Sequence, residues 1–196
     1  MGILSLYVAT SLDGYIADSE GAVDWLNELS EEGPQKEKSR RKEEGENIRE
    51  EKDYGYGEYL ESVGALVMGR VTYEQVLSFG EWPYKGKKTF VFTRNAKLSS
   101  PIKEVKVVNE DPVDFTKRLV ESTEKRVWVV GGAQIANLFL NSGQIGEIIL
   151  TIAPVLLGDG VDLFSTEFPK KSLILKQSTE FDNGMVQLHY RLERTG

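Results

Sequence analysis

The sequence predicts an α/β fold in which a mostly parallel sheet is covered by helices on both faces and closed by an antiparallel C-terminal hairpin. Three observations predict it. Apolar runs of strand length alternate with helix-period segments through the middle of the chain, the pattern of a parallel sheet buried on both sides. Two of those runs, Leu66–Met68 and Val127–Val130, stop at glycine and turn at once into a helix pattern. The tail then changes period, with Leu173–Phe181 and Met185–Leu192 alternating apolar and polar residues around Asp182-Asn183-Gly184, a hairpin signal.

Taken in order, Ile3–Ser11 reads as the first strand, followed by a loop to Asp24 and a short helix opening at Trp25. The pattern then breaks. Between Ser30 and Asp53, sixteen of twenty-four residues are charged and Ile48 is the only large aliphatic, so this insertion cannot bury a face. Its Arg40-Arg41-Lys42 run is flanked by acids and reads as a solvated face rather than a nucleic-acid site. Periodicity resumes at Tyr59, Leu60 and Val63, a helix leading into strand Ala65–Met68. A helix over Thr72–Leu77, strands Thr89–Thr93 and Val105–Val108, and a helix over Pro112–Ser122 follow, with Asp111 as its cap and Pro112 in its first turn. Strand Arg126–Val130, the Gly131-Gly132 turn, helix Ile135–Leu140 and strand Glu147–Ala153 lead to the hairpin. No internal repeat or linker divides the chain, which predicts a single domain over residues 1–196.

Composition narrows the chemistry. The chain has 196 residues, enough to bury about 70% of its unfolded surface without a disulfide or metal. It has no cysteine and one histidine, which removes thiolate sites, histidine metal centres and triads from consideration. His189 alternates with Val186, Leu188 and Tyr190 and reads as a structural or surface residue. The net charge of −7 argues against broad nucleic-acid binding. No secretory leader or membrane span is legible, so a soluble, cytoplasmic protein is expected.

The glycine junctions carry the functional signal. Gly131-Gly132 lets backbone approach a ligand, and the helix beginning near Ala133 offers unpaired N–H groups at the positive end of its dipole. The alternative is a tight turn with no ligand. At Met68-Gly-Arg-Val-Thr72 the arrangement repeats, with Arg70 a forked cation and Thr72 a hydroxyl suited to a helix start or a phosphate. On parallel strands both junctions open at the same carboxyl edge, where ligands of open α/β sheets bind. Neither junction is a G-x-G-x-x-G fingerprint or a P-loop.

The order of motifs resembles the dihydrofolate reductase superfamily, particularly the group that includes the reductase domain of the bacterial riboflavin biosynthesis deaminase-reductase. The resemblance rests on Tyr7–Ala17, Asp24-Trp25, Met68–Thr72, Phe90-Val-Phe-Thr-Arg94, Gly131-Gly132, and Leu150–Gly160 with Leu163-Phe164. It implies a three-layer α-β-α fold and hydride transfer from NADPH to a small pterin- or pyrimidine-like heterocycle, with the protein supplying position. It also implies that backbone groups of Ala9 and Ile16 meet the nicotinamide carboxamide. The helix starts at Gly69–Thr72 and at Gly131, Gly132, Ala133, Gln134 and Ile135 would hold the diphosphate, and the Gly131–Gly132 peptide is expected to be cis. Thr93 and Arg94 close the cofactor set, with Arg70 and Arg94 as candidates for the adenosine 2′-phosphate. Arg94 could instead be an exposed loop arginine, and Arg70 a surface partner of Glu74.

By the same resemblance Asp13, Asp24, Trp25 and Thr151 face or support the substrate cleft, and Asp159 ties the loop after Ile152 to the first loop. Asp13 has an equally available role in capping the Leu12-Asp13-Gly14 turn. The folate-reducing enzymes carry their pterin-binding carboxylate five residues after the matched tryptophan, where this chain has Ser30, with Glu28 and Glu31 nearby. That departure argues against dihydrofolate as the substrate. A riboflavin-pathway aminopyrimidine phosphate reductase, or a non-enzymatic cofactor-binding member of the fold, are the alternatives. Related reductase domains favour a homodimer. No metal is expected.

Overall fold

The computed structural model describes residues 1–26, 53–95, 97–164 and 168–193. The charged insertion therefore lies almost wholly outside the described residues, as do Glu28, Ser30 and Glu31. Ten strands are described: β1 Ile3–Ser11, β2 Tyr15–Ala17, β3 Val63–Gly69, β4 Lys88–Phe92, β5 Val105–Val108, β6 Arg126–Gly131, β7 Ile145–Ala153, β8 Val161–Asp162, β9 Leu173–Glu180 and β10 Val186–Leu192. Four helices accompany them: α1 Tyr56–Ser62, α2 Arg70–Ser78, α3 Pro112–Glu121 and α4 Ala133–Asn141. Eight strands form one sheet in the order β5-β4-β3-β6-β1-β7-β10-β9, and β2 pairs with β8 in a small second sheet. β5 through β7 run parallel in that order, and β10 and β9 are antiparallel, as the change of period in the tail predicts.

Alternation within the strands distributes the core to both faces. Leu4 and Leu6 of β1 join Val127, Val129, Phe139 and Leu140 under α3 and α4. Ser5 and Tyr7 point to the other face, where Tyr59, Leu66, Met68, Tyr73, Trp82, Tyr84 and Trp128 pack beneath α1 and α2. Phe139 is fully buried, and burying such a ring is worth about 1.5–3 kcal/mol. The hairpin turn is set by Gly184 at φ 86 and by Asn183, whose side-chain oxygen accepts from the Met185 N–H. β9 closes the sheet as an edge, with Leu173, Ile174 and Leu175 all exposed.

One register feature prepares the site. β1 pairs with β6 only from Ile3↔Arg126 to Leu6↔Val129, yet stays paired with β7 as far as Ser11↔Ala153. Past Leu6, then, the main chain of β1 has no strand ladder on its β6 side among the described residues, although the Tyr7 carbonyl accepts from the Trp128 indole N–H at 3.1 Å. Backbone donors and acceptors left out of a ladder need another partner. The opening lies between strands whose connections leave in opposite directions, the crevice in which open α/β sheets bind ligands.

Candidate functional site

At the carboxyl edge two helix starts meet. α2 begins after Gly69 and α4 after Gly132, and neither has a side-chain cap. α3 differs: Asp111 accepts from the N–H groups of Val113 and Asp114, as the sequence predicts. An uncapped first turn leaves N–H groups for an anion, and two such turns sit side by side here. A β-carbon at Gly69 would lie 3.3 Å from the Ile135 side chain and 4.0 Å from the Gly132 nitrogen, and one at Gly132 would lie 3.2 Å from the Thr72 hydroxyl. A side chain at either junction would crowd these neighbours, so glycine eases the close approach of the two turns. The Gly131–Gly132 peptide is cis, and Gly131 has φ 142, a conformation open chiefly to glycine. Ala133, Gln134 and Ile135 form the first turn of α4, so the structure brings Gly69, Thr72, Gly131, Gly132 and this turn into one cradle.

The cationic candidates stand at the same edge. Gly69 pairs with Phe92 across β3 and β4, so Arg70 and the Thr93-Arg94 pair leave the sheet side by side. Arg70 donates through Nη1 to both Glu74 carboxylate oxygens at 2.8 Å, the helix-surface pair considered as its alternative role. Arg94 is exposed and makes no hydrogen bond or ion pair with another described residue. Thr93 organises the turn that carries Arg94: its N–H donates to the Val108 carbonyl, its hydroxyl accepts from the Asn95 N–H, and its carbonyl accepts from the Asn109 amide.

The substrate-side candidates are less tightly grouped. Ala9 pairs with Thr151 across β1 and β7, and Thr151 with Gln187 across β7 and β10, so the three form one row on one face. Thr151 is buried and its hydroxyl accepts from Gln187 Nε2 at 3.0 Å. Ile16 lies in β2 and packs against the core on the other face of the sheet. Trp25 is buried against Ala153, Phe181 and Met185, and its indole N–H has no partner among the described residues. Asp24 is exposed at the start of the helical turn that carries Trp25.

Asp13 is a loop tie. Its carboxylate accepts from the N–H groups of Leu157 at 3.2 Å and Gly158 at 2.8 Å, joining the first loop to the loop after β7. The Ser11 hydroxyl and these N–H donors hold the carboxyl below its ordinary pKa, so it is an ionised acceptor, unsuited to delivering a proton. Sequence reasoning gave that tie to Asp159, which instead accepts from its own neighbour, Gly160 N–H, at 2.8 Å. The tie exists, but is made from the opposite loop.

Sequence reasoning missed the polar and aromatic lining around this row. Tyr7 stacks on Tyr59 with ring centroids 4.3 Å apart and stands edge-on to Trp128 at 6.1 Å. Tyr54 follows the insertion, with its ring against Phe181 at 4.9 Å and its hydroxyl accepting from Asn183 at 2.7 Å. Gln187 bonds to Thr151 and to the Tyr54 main chain. These contacts join residues from 36 to 133 positions apart, so no local pattern announces them. The one available signal is the Tyr54-Gly-Tyr56 aromatic pair directly after the charged segment.

Taken together, the molecule is an open α/β sheet with an anion-binding edge built from two glycine junctions. The chain belongs to the RibD C-terminal domain family, whose model matches residues 3–187. It is 36% identical to the uncharacterized protein YwjB of Bacillus subtilis over 186 residues, 94% of this chain and 95% of that protein. Among solved structures it is similar to a Shewanella sp. PV-4 protein assigned to riboflavin biosynthesis, at TM-score 0.77 and 31% identity, covering 98% of this chain and 99% of that one. The fold is shared with Enterococcus faecalis dihydrofolate reductase complexed with NADP(H), at TM-score 0.59 and 16% identity, covering 97% and 96% of the two chains. It is shared too with the Thermotoga maritima deaminase/reductase, at TM-score 0.65 and 18% identity, where 98% of this chain spans 57% of the other. The three-layer, dihydrofolate-reductase-like α/β fold expected from the sequence is the fold observed.

Proposed function

We propose that the protein is a reductase that uses NADPH to reduce a small pyrimidine- or pterin-like heterocycle. The observation that carries the reading is the pair of uncapped helix starts meeting at Gly69 and Gly131–Gly132. Such a cradle suits a diphosphate, because first-turn N–H groups and two helix dipoles converge on one point. Arg94, and Arg70 once released from Glu74, stand where a 2′-phosphate would want forked cations. Family membership supports the same reading, as does the likeness to proteins whose names specify pyrimidine or folate reduction.

When bound, the dihydronicotinamide supplies the hydride. The chain's own part is placement: the open β6 side of β1 near Ala9 offers main-chain groups, and Thr151 and Gln187 line the adjacent row. Excluding water there strengthens each polar contact. The test is NADPH oxidation, followed optically, against dihydrofolate, dihydropterins and aminopyrimidine phosphates, with NADH as the cofactor control. Turnover with a pyrimidine or pterin is expected, and dihydrofolate should fall below the ordinary range of about 10⁴–10⁸ M⁻¹s⁻¹ in kcat/KM. Failure of every heterocycle while NADPH binds would favour a non-enzymatic cofactor-binding role. The riboflavin-pathway reaction is the second reading, favoured by the similarity to the Shewanella protein, and an aminopyrimidine phosphate outperforming all others would establish it.

A further inference from the structure

Two hydrogen-bond donors converge on a single carbonyl oxygen inside the substrate-side row. The Tyr7 hydroxyl donates to the Tyr54 main-chain oxygen at 3.3 Å, and Gln187 Nε2 reaches the same oxygen at 3.2 Å. Gln187 Nε2 also lies 3.4 Å from the Tyr7 hydroxyl and 3.0 Å from Thr151 Oγ1, so the two donors belong to one network. The network sits on the Ala9–Thr151–Gln187 row, beside the open edge of β1. Tyr54 is the only described non-glycine residue with positive φ, at 54, and Gly55 follows at 75. A tyrosine in that conformation is sterically disfavoured, so its carbonyl is delivered to the donors against backbone preference.

We propose that Tyr7 and Gln187 form a clamp for a ring carbonyl of the substrate, a neutral cyclic amide or imide of the uracil or pterin-lactam kind, and that the Tyr54 carbonyl holds that ligand's place. The chemistry follows from the groups. A phenol O–H and a carboxamide N–H are neutral donors, matched to a neutral carbonyl; a protonated ring would need a carboxylate. Thr151, accepting from Gln187, keeps its own hydroxyl hydrogen to donate, and no described residue bonds Gln187 Oε1, which can accept from the N–H beside the ring carbonyl. The clamp thus offers donors and an acceptor side by side, the complement of a lactam edge. Gly55, free to take either sign of φ, lets the Tyr54–Gly55 peptide rotate and withdraw its oxygen when a ligand arrives.

This inference deepens the reductase reading and rests on it for the site, but is tested by binding rather than turnover. The experiment is calorimetric titration of the NADP⁺-saturated protein with 5,6-diaminouracil and with 4,5-diaminopyrimidine, which lacks both ring carbonyls. The wild type should bind the uracil about a hundredfold more tightly, since each neutral hydrogen bond to a fixed donor is worth about tenfold here. Tyr7→Phe and Gln187→Leu should each lower uracil affinity about tenfold and leave diaminopyrimidine affinity and NADP⁺ affinity unchanged. Equal losses for both ligands would mean that the residues only support the fold, and unchanged uracil affinity in both variants, or no uracil binding by the wild type, would equally overturn the clamp. Selective, clamp-dependent binding without NADPH oxidation by any heterocycle would sustain the clamp and sink the reductase reading. Turnover of an oxopyrimidine indifferent to both substitutions would do the reverse.

Discussion

Arg94 and Arg70 stand at one sheet edge in different electrostatic circumstances. Arg94 has no partner among the described residues, whereas Arg70 must leave Glu74 before it can serve a ligand. An exposed ion pair of that kind is worth about 0–1 kcal/mol, a small toll against a charge-assisted bond to phosphate of about 1.5–3 kcal/mol. Arg94→Ala should therefore lower NADPH affinity about ten- to hundredfold and leave NADH nearly untouched, while Arg70→Ala should cost less; calorimetry on both variants reads the difference. At Gly132, φ is −79, which alanine can adopt, but its β-carbon would press on the Thr72 hydroxyl. Gly132→Ala should thus weaken cofactor binding about tenfold or more while moving the unfolding midpoint only slightly, and the combination with Thr72→Ala should recover part of the loss in packing but not the Thr72 contact. Both glycine junctions were legible because strand, glycine and helix signals are contiguous in the chain. Gln187 was not, since its meaning depends on lying opposite Thr151 across an antiparallel register.

Four strands share one buried carboxylate. Glu147 of β7 bonds to Arg126 of β6 and to His189 of β10 at 2.9 Å, and the Ser5 hydroxyl of β1 also bonds to it. Burial pushes its pKa up, but Arg126, Ser5 and His189 outweigh burial and leave it below the ordinary carboxylate value. Because the folded pKa is the lower one, the network's stabilisation is present above about pH 4.5 and is lost as pH falls through the folded value. Urea midpoints measured between neutral pH and pH 3 should fall steeply below about pH 4.5 in the wild type, and Glu147→Gln should flatten that part of the curve. At neutral pH the same substitution leaves Arg126 without its counter-charge and should cost about 1–3 kcal/mol, less than for a fully buried pair because Arg126 is partly exposed. His189 reads from sequence as structural, and its place in this network agrees with that. The network itself was hidden, as was the β2–β8 pairing of Tyr15 with Asp162, because both are created by long-range closure rather than by local period. The nine-residue strands β1 and β7 were legible because apolar residues dominate each of them over their whole length.

The cradle joins α4, packed on one face of the sheet, to α2, packed on the other, so a ligand held there bridges both hydrophobic cores. Binding to the folded chain alone must then stabilise the whole cooperative unit by mass action. At a free concentration one hundred times Kd the gain is about 2.7 kcal/mol, and a chain of this size moves its Tm by about 2–4 °C per kcal/mol. NADPH at that concentration should raise Tm by about 5–11 °C. NADH at equal concentration should give a smaller rise, because without the 2′-phosphate it forgoes the arginine contacts and sits nearer its own Kd. Arg94→Ala should bring the two shifts close together without lowering the Tm of the protein alone, since Arg94 bonds to no described residue. Scanning calorimetry of both proteins with each cofactor is the measurement. Equal shifts from NADPH and NADH in the wild type would remove the phosphate-specific role of this edge, and no shift from either would remove the cradle as a dinucleotide site.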